Sequence, residues 1–133
     1  MKLIEVPSLI QLTKNSPLSV IANAMDGLPK QAIDKTPWSV EEDKPETKFA
    51  MAHNKDCIFL KYYVKEKSVQ AKYRNINDPM YKDSYVEFFT AFNGEKQYYN
   101  LEFNCLGTCL VGFGQNQHDR KLLPKQHVSK IKP

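Results

Sequence analysis

Apolar and polar residues alternate most regularly in the second half of the chain. In SYVEFFT, Val86 and Phe88 share one face of an extended segment. In YYNLEFNC, Leu101 and Phe103 do the same. An alternation with a period of two residues is typical of a half-buried β-strand. Because Asn93-Gly94 between the two segments is a strong turn signal, we predict two adjacent antiparallel strands.

Further strands are predicted on both sides of this pair. CIFLKYYV (57–64) alternates, and a polar KEKS turn leads to VQAKY (69–73), so these two segments are read as a hairpin. TCLVGFG (108–114) is a further predicted strand, and one short helical turn is expected after Pro124. RNINDPMYKD (74–83) is a predicted loop.

The first 48 residues contain five prolines, which argue against long helices. Short strands are predicted at Leu3–Val6 and Val20–Ala22, with an extended segment at Ala32–Asp34. Trp38, the only tryptophan, is either a core anchor that caps one end of the fold or a stacking platform.

These patterns predict an all-β fold, an antiparallel β-sandwich of the jelly-roll or immunoglobulin-like type. A chain of 133 residues is expected to form a single domain, 1–133. Residues 115–133 are polar and basic, and we expect them to form a tail that is mobile. The net charge of +4 comes from this end, since residues 118–133 hold five basic residues and one acid.

The rest of the chain is neutral, so it offers no basic stripe and no nucleic-acid partner is expected. No apolar run approaches the ~18 residues of a membrane helix, so no membrane partner is expected either. No continuous signal-peptide core is visible at the start, and the compartment is left open.

Neither cysteines nor acidic loops make a strong case for a metal or cofactor. Cys57, Cys105 and Cys109 are an odd number, which predicts free thiols that serve as small buried hydrophobic residues. A loop containing Asn77, Asp78 and Asp83 offers hard oxygen ligands. These residues suit either a calcium site or plain turn chemistry. No other cofactor is expected.

Pairing 84–90 with 98–105 gives a candidate binding surface. If the apolar faces point to the core, Glu87 shares the outer, solvated face with Asn100, Glu102 and Asn104. Directly opposed side chains are ~5 Å apart, so two carboxylates there repel unless donors or cations lie between them. A polyol supplies such donors, and aromatic rings nearby would stack on a sugar ring: Tyr81, Tyr85, Phe89 and Tyr98. The competing interpretation is an ordinary solvated strand face.

The same two glutamates suit a glycosidase, in which paired carboxyls stand ~5 Å or ~6.5–9.5 Å apart. Hydrolysis also requires a deep cleft that raises one pKa, and a chain of this length has little material for it. A non-enzymatic binding role is therefore preferred.

Several motifs resemble the family 9 carbohydrate-binding modules. They are IDKTPW (33–38), FLKYYVKEKSVQAKY (59–73), NDPMYKDS (77–84), DSYVEFF and YYNLEFNCLG, in that order. The resemblance spans residues 30 to 123 and implies an antiparallel β-sandwich. It also implies binding of sugars such as the ends of plant-polysaccharide chains, with a ring held between two aromatics.

In that resemblance Tyr81 stands at one stacking position and Glu87 at the glutamate of the family's DS-x-x-E segment, whereas Glu102 replaces a basic residue. The family module continues beyond this chain, so we expect a C-terminally truncated module that lacks strands and the second aromatic. Open sheet edges would then favour self-association. The predicted function is non-catalytic oligosaccharide binding through Tyr81, Glu87, Asn100, Glu102 and Asn104. The alternatives are an interaction or scaffold protein without sugar binding, and less favoured, a glycoside hydrolase.

Overall fold

The computed structural model describes residues 2–35 and 44–133. The chain divides into two compact units, Met1–Lys67 and Ser68–Pro133, and each contains one antiparallel sheet. The regular elements of the described residues are mostly strands in two antiparallel sheets, with few and short helices, which confirms the predicted all-β antiparallel class. Trp38 lies outside the described residues. That one domain spans 1–133, with a mobile tail, stays a prediction.

The first unit is built on a three-stranded sheet and one helix. Strand β1 is Gln31–Ile33, β2 is Glu46–His53 and β3 is Ile58–Lys65, in the order β1-β2-β3. Helix α1, Leu18–Asp26, begins directly after Pro17. Proline is tolerated at a helix start, because the first N–H groups have no partner within the helix. Helix and sheet share one buried cluster: Leu12, Met25, Ala50, Ala52 and Phe59.

Two predictions for this unit were wrong. Residues Val20–Ala22 lie in α1, and Leu3–Val6 form no strand. Residues of α1 and the turn after it pack on the cluster at helical spacing, namely Ile21, Ala24, Met25 and Leu28. The predicted hairpin partner of β3 was also wrong, since β3 pairs with β2 and residues 69–73 form no strand. The extended segment near Ala32 is confirmed as β1.

The second unit contains a four-stranded antiparallel sheet in the order β4-β5-β6-β7. Strand β4 is Tyr85–Thr90, β5 is Tyr98–Asn104, β6 is Cys109–Gly114 and β7 is Lys121–Leu122. A 3₁₀ helix, Met80–Lys82, precedes β4, and α2, Lys125–Val128, follows β7. The predicted β4, β5, β6 and helical turn are thereby confirmed.

The turn between β4 and β5 contains the predicted Asn93-Gly94 signal. Both residues have positive φ, 55° at Asn93 and 69° at Gly94. Asparagine and glycine are the residues that tolerate this left-handed backbone best. The chain therefore reverses here at little steric cost, and the turn helps to set which residues of β4 and β5 are opposite each other.

One face of this sheet covers the core of the second unit. Cys109, Val111 and Val128 are buried together. Residues packed against them come from both strands and loops: Ile76, Tyr99, Leu101, Phe103, Leu123 and Ile131. Burial, with the charge of Glu102 as a second cause, raises the pKa of Cys109 to about 12. The three thiols are free as predicted, but Cys105 is exposed rather than buried.

A carboxylate secures the loop before β4. Asp83 is only 7% exposed and accepts hydrogen bonds from the backbone N–H groups of Lys72 and Tyr73. The amide of Asn104 also donates to Asp83 and to the carbonyl of Tyr73. This network links residues 72–73 to the start of β4 and the end of β5.

Asn77 and Asp78, two of the residues that suit a calcium site, also form hydrogen bonds that hold a loop in place. Asn77 Oδ1 accepts from Val111 N–H, and Asp78 accepts from Asn75 N–H. Within the described part of the chain, no group of three His, Cys, Asp or Glu side chains could hold a metal ion. The Asp78 contact closes a turn, whereas Asn77 joins its loop to β6 and to the carbonyl of Leu123. None of the helices in residues 2–35 and 44–133 is long and apolar enough to cross a membrane.

We expect Asp83→Asn to lower the midpoint of thermal unfolding, because an amide accepts fewer N–H bonds than a carboxylate. Burial acts to raise the pKa of Asp83, but hydrogen bonds from Tyr73, Lys72 and Asn104 outweigh it, and the pKa is lowered. The carboxylate therefore stabilises the fold above its unfolded pKa of ~3.9. This contribution is lost as the pH falls through the lower folded value.

Circular dichroism melts at pH 7 and pH 3 measure this. The difference between wild type and Asp83→Asn should be large at pH 7 and smaller at pH 3. Asp56→Asn, at an exposed turn position, is the matched control. Equal melting points for wild type and Asp83→Asn at pH 7 would contradict the role given to this carboxylate.

Candidate functional site

Two glutamates face each other across the β4–β5 pair of the second sheet, in which β4 is an edge strand. Glu87 of β4 and Glu102 of β5 are partners in the strand register, as predicted. Directly opposed Cβ atoms in an antiparallel pair are ~5 Å apart. The predicted exposure of the pair was wrong, however, because Glu87 is exposed whereas Glu102 is only 6% exposed.

The polar face of β5 is more buried than its apolar face. Asn100, Glu102 and Asn104 are all buried, while Leu101 and Phe103 between them are half-buried. The prediction that these three polar residues are solvated was therefore wrong. Their shared face was predicted correctly, since they alternate along one strand.

Two of these side chains have buried atoms without a partner. Asn100 Nδ2 and Glu102 Oε2 have no hydrogen-bond partner among the described residues. Asn100 is 1% exposed. The two residues are two apart on one strand, so their Cα atoms are ~7 Å apart. A buried polar group without a partner costs about 1–3 kcal/mol, so these two atoms are unfavourable as they stand.

Asn104 differs from Asn100, although it has the same chemistry and lies on the same face. Its amide donates to Tyr73 and Asp83, and its carbonyl accepts from the N–H groups of Leu106 and Thr108. Because these bonds occupy the whole amide, Asn104 holds the loops around the site rather than offering a free group.

Tyr81 is 57% exposed and lies in the 3₁₀ helix that precedes β4. That short helix contacts both β4 and β5. Its ring is therefore accessible to a ligand at one end of the strand pair. Tyr85 is 40% exposed and shares the face of Glu87, two residues away on β4.

Arg120 completes the site and was not predicted, because it was assigned to the basic tail. Its guanidinium carbon lies 5.9 Å from the ring centre of Phe89 and 6.0 Å from that of Tyr98. The two rings are themselves 5.7 Å apart. Cations are attracted to aromatic faces at such distances, so the rings position the guanidinium beside the acid pair.

Gly114 of β6 lets Arg120 approach the sheet, whereas a side chain at Gly112 would be tolerated. A Cβ atom on Gly112 would lie 3.6 Å from Arg120 Cβ, in ordinary contact. A Cβ atom on Gly114 would lie 2.5 Å from Asp119 Oδ1 and 2.8 Å from Arg120 Cα, which is too close for any side chain. Asp119 also accepts from the N–H groups that follow Gly114, and so closes the loop that delivers Arg120.

The electrostatics of the site centre on Glu102. Burial, then the charge of Glu87 and a hydrogen bond with it, raise the pKa of Glu102 to about 7, while Arg120 acts to lower it. Burial, and then the charges of Glu87 and Glu102, raise the pKa of Tyr85. The Glu102 carboxyl therefore keeps its proton to a much higher pH than an ordinary glutamate does.

The arrangement combines acceptors, donors and rings on one sheet face. Glu87 and Glu102 offer carboxyl oxygens, and Asn100 and Arg120 offer N–H donors. Such a mixture suits a ligand that is rich in hydroxyl groups, because each hydroxyl both donates and accepts.

Comparison with known proteins agrees with a ligand that is rich in hydroxyl groups. The model of carbohydrate-binding family 9 matches residues 19–133. Among solved structures, the chain is similar to a proposed carbohydrate-binding protein from Bacteroides uniformis, with a TM-score of 0.82 and 30% identity. The match covers 93% of this chain and 57% of that protein, so this chain spans little more than half of its length. No curated protein sequence matches the chain.

We expect Glu87→Gln to lower the pKa of Glu102 towards the ordinary value of ~4.3, because it removes the like charge opposite it. Arg120→Gln should shift the same pKa upwards, since it removes the cation. The side-chain carboxyl carbon of Glu102, followed by NMR across the pH range, reports both shifts. Glu95→Gln, in the β4–β5 turn, is the control and should leave the titration unchanged. Identical titration curves in all three variants would show that the acids are not coupled.

Proposed function

Because the chain belongs to carbohydrate-binding family 9, we propose that it binds carbohydrate without catalysing its cleavage. The proposed surface is the face of the second sheet that carries Glu87, Asn100 and Glu102. The observation that carries the proposal is the pair of buried atoms without partners, Asn100 Nδ2 and Glu102 Oε2. A sugar that offers adjacent hydroxyls would satisfy both at once.

Each polar side chain has a distinct proposed role. Glu87 and Glu102 accept hydrogen bonds from hydroxyls, and Asn100 donates one. Arg120 donates from a guanidinium that Phe89 and Tyr98 hold in place. Hydrogen bonds to charged groups are the stronger kind, so Arg120 is expected to contribute most to affinity.

The ring-stacking role is proposed for Tyr81. Its exposure supports this role, because a stacked sugar requires a free ring face. Asn104 is proposed as a positioning residue, which acts through its bonds to Asp83 and Tyr73. The proposed ligands are plant-polysaccharide-type oligosaccharides. Modest affinity is expected, because contacts with a mainly polar surface bury little apolar area.

We expect xylo- or gluco-oligosaccharides to shift the backbone and side-chain amide signals of Asn100 and its neighbours in NMR titrations. Arg120→Gln should weaken binding about tenfold or more, since a hydrogen bond to a charged group contributes about 1.5–3 kcal/mol. Lys121→Gln, which removes the adjacent exposed cation, is the matched control and should retain affinity. The proposal would be refuted if no amide signal shifts in the titrations and no sugar of a broad glycan array is bound.

Glycoside hydrolysis is a second candidate that one observation favours. The raised pKa of Glu102, opposite Glu87, is the kind of asymmetry that separates a general acid from a nucleophile. We nevertheless propose binding, because the partnerless Asn100 amide indicates a static hydroxyl contact. Turnover of an aryl glycoside that disappears in Glu87→Gln would establish hydrolysis instead. If sugars do not bind, and Tyr81→Ala captures a specific protein partner as well as wild type does, an interaction protein becomes the better description.

We also propose that copies of this chain associate through exposed strand edges. Within the described residues, β3 and β4 each lie at the edge of their sheet. Ile58 and Val64 on β3 are 52% and 45% exposed. Edge strands present N–H and C=O groups that can pair with another chain.

Association should increase with concentration in size-exclusion chromatography with light scattering. The double variant Ile58→Lys/Val64→Lys should shift the population towards monomer, because charge on an edge strand opposes pairing. Lysines at the exposed positions Val20 and Asn23 of α1 are the control. A monomer at all concentrations would contradict this proposal without affecting sugar binding.

A further inference from the structure

We propose that the Glu87–Glu102 pair selects a cationic amino sugar, whose ammonium group takes the place of the proton held between the two carboxyl groups. This inference rests on the proposed function, because it uses the same sheet face. It goes further in assigning a chemical class to the ligand.

The first argument is the geometry of the pair. Glu102 is buried and directly opposite Glu87, so two ionised carboxylates here repel each other in a poorly solvated place. A positive charge between them removes that repulsion. A neutral hydroxyl donates a hydrogen bond but brings no charge.

The second argument is the set of charged groups around Glu102. Glu87 and Tyr85 face it from β4, and Arg120 faces it from the loop before β7. The Cys109 thiol of β6 is neutral and lies on the core side of the sheet, opposite Phe103. Arg120 favours the ionised form, yet the pKa of Glu102 is still raised to about 7. The guanidinium therefore does not offset the effects of burial and of Glu87 on the pKa of Glu102. One further positive charge beside Glu102 would stabilise its ionised form.

The third argument separates an amino sugar from a bare metal ion. Asn100 Nδ2 is a buried donor without a partner in the described structure, two residues from Glu102 on the same face. A metal ion would leave this donor unpaired, whereas a hydroxyl beside the ammonium on one ring would accept from it. The two carboxyl groups and the amide together therefore match a molecule that carries both a cation and an acceptor.

The proton balance of this exchange is simple. The ligand arrives as an ammonium ion, and Glu102 releases its proton to solvent. The ammonium N–H groups then bond to Glu87 and to Glu102 Oε2. Only the O–H bond of Glu102 breaks, and one proton leaves for each ligand that binds while Glu102 is protonated.

The test compares three β-1,4-linked oligosaccharides of equal length, built from glucosamine, N-acetylglucosamine or glucose. Acetylation keeps the ring and removes the charge. Isothermal titration calorimetry between pH 5.0 and 6.0 covers a range in which the glucosamine amine stays mostly charged and Glu102, with a pKa raised to about 7, stays mostly protonated. The glucosamine oligomer should bind about tenfold more tightly per pH unit as the pH rises, because one proton is released. Glucose and N-acetylglucosamine oligomers should show no such slope.

Calorimetry in buffers of different ionisation enthalpy counts the released protons directly. About one proton per glucosamine oligomer is expected at pH 6, and none for the neutral oligomers. Glu102→Gln and Glu87→Gln should each abolish both the preference and the proton release. Glu87→Gln is informative even if the buried variant fails to fold, because Glu87 is exposed. Glu95→Gln should behave as wild type.

The outcomes separate the two proposals. If all three oligomers bind equally and without proton release, the amino-sugar inference is overturned and the binding function stands. If Glu95→Gln loses the preference as well, the attraction is non-specific and the inference is again overturned. If no oligomer binds at any pH, the proposed function fails and this inference fails with it.

Discussion

The antiparallel register of β4 and β5 is the constraint on which the rest of the site depends. Because side chains alternate with a period of two, a slip of one residue would move Glu87 to the opposite face. The register is fixed at both ends of the pair. At one end the positive φ values of Asn93 and Gly94 suit the reversal. At the other end Asn104 bonds to Asp83, which lies two residues before the start of β4.

This register is energetically unfavourable at two positions of β5. It places a glutamate and an asparagine of β5 in buried positions, each with an atom that lacks a partner. The opposite face of the same strand contributes Tyr99, Leu101 and Phe103 to the core. A strand that stabilises the fold with one face can carry unfavourable polar groups on the other, and such groups are typical of binding sites.

Sequence periodicity predicted the strands of the second unit because their apolar residues alternate clearly, as in Val86 and Phe88. It failed for α1, where prolines on both sides suggested extended structure and the helical spacing of Ile21, Ala24 and Met25 was overlooked. The pairing of Glu87 with Glu102 was predictable, but the burial of Glu102 was not. Alternation shows which residues share a face, whereas burial depends on residues that are distant in sequence.

The sequence contains a signal for the position of Arg120, and it lies in β6 rather than beside Arg120 itself. Its charge was counted as part of a basic tail, since nothing in residues 115–133 alternates. The spacing of Gly112 and Gly114, however, leaves two consecutive positions on one face of β6 without side chains. Such a gap in a strand commonly marks a close approach by another segment. Here the approaching segment brings the cation that moderates the acid pair, so Gly114, where a Cβ atom would clash with Arg120, is part of the site although it carries no chemistry of its own.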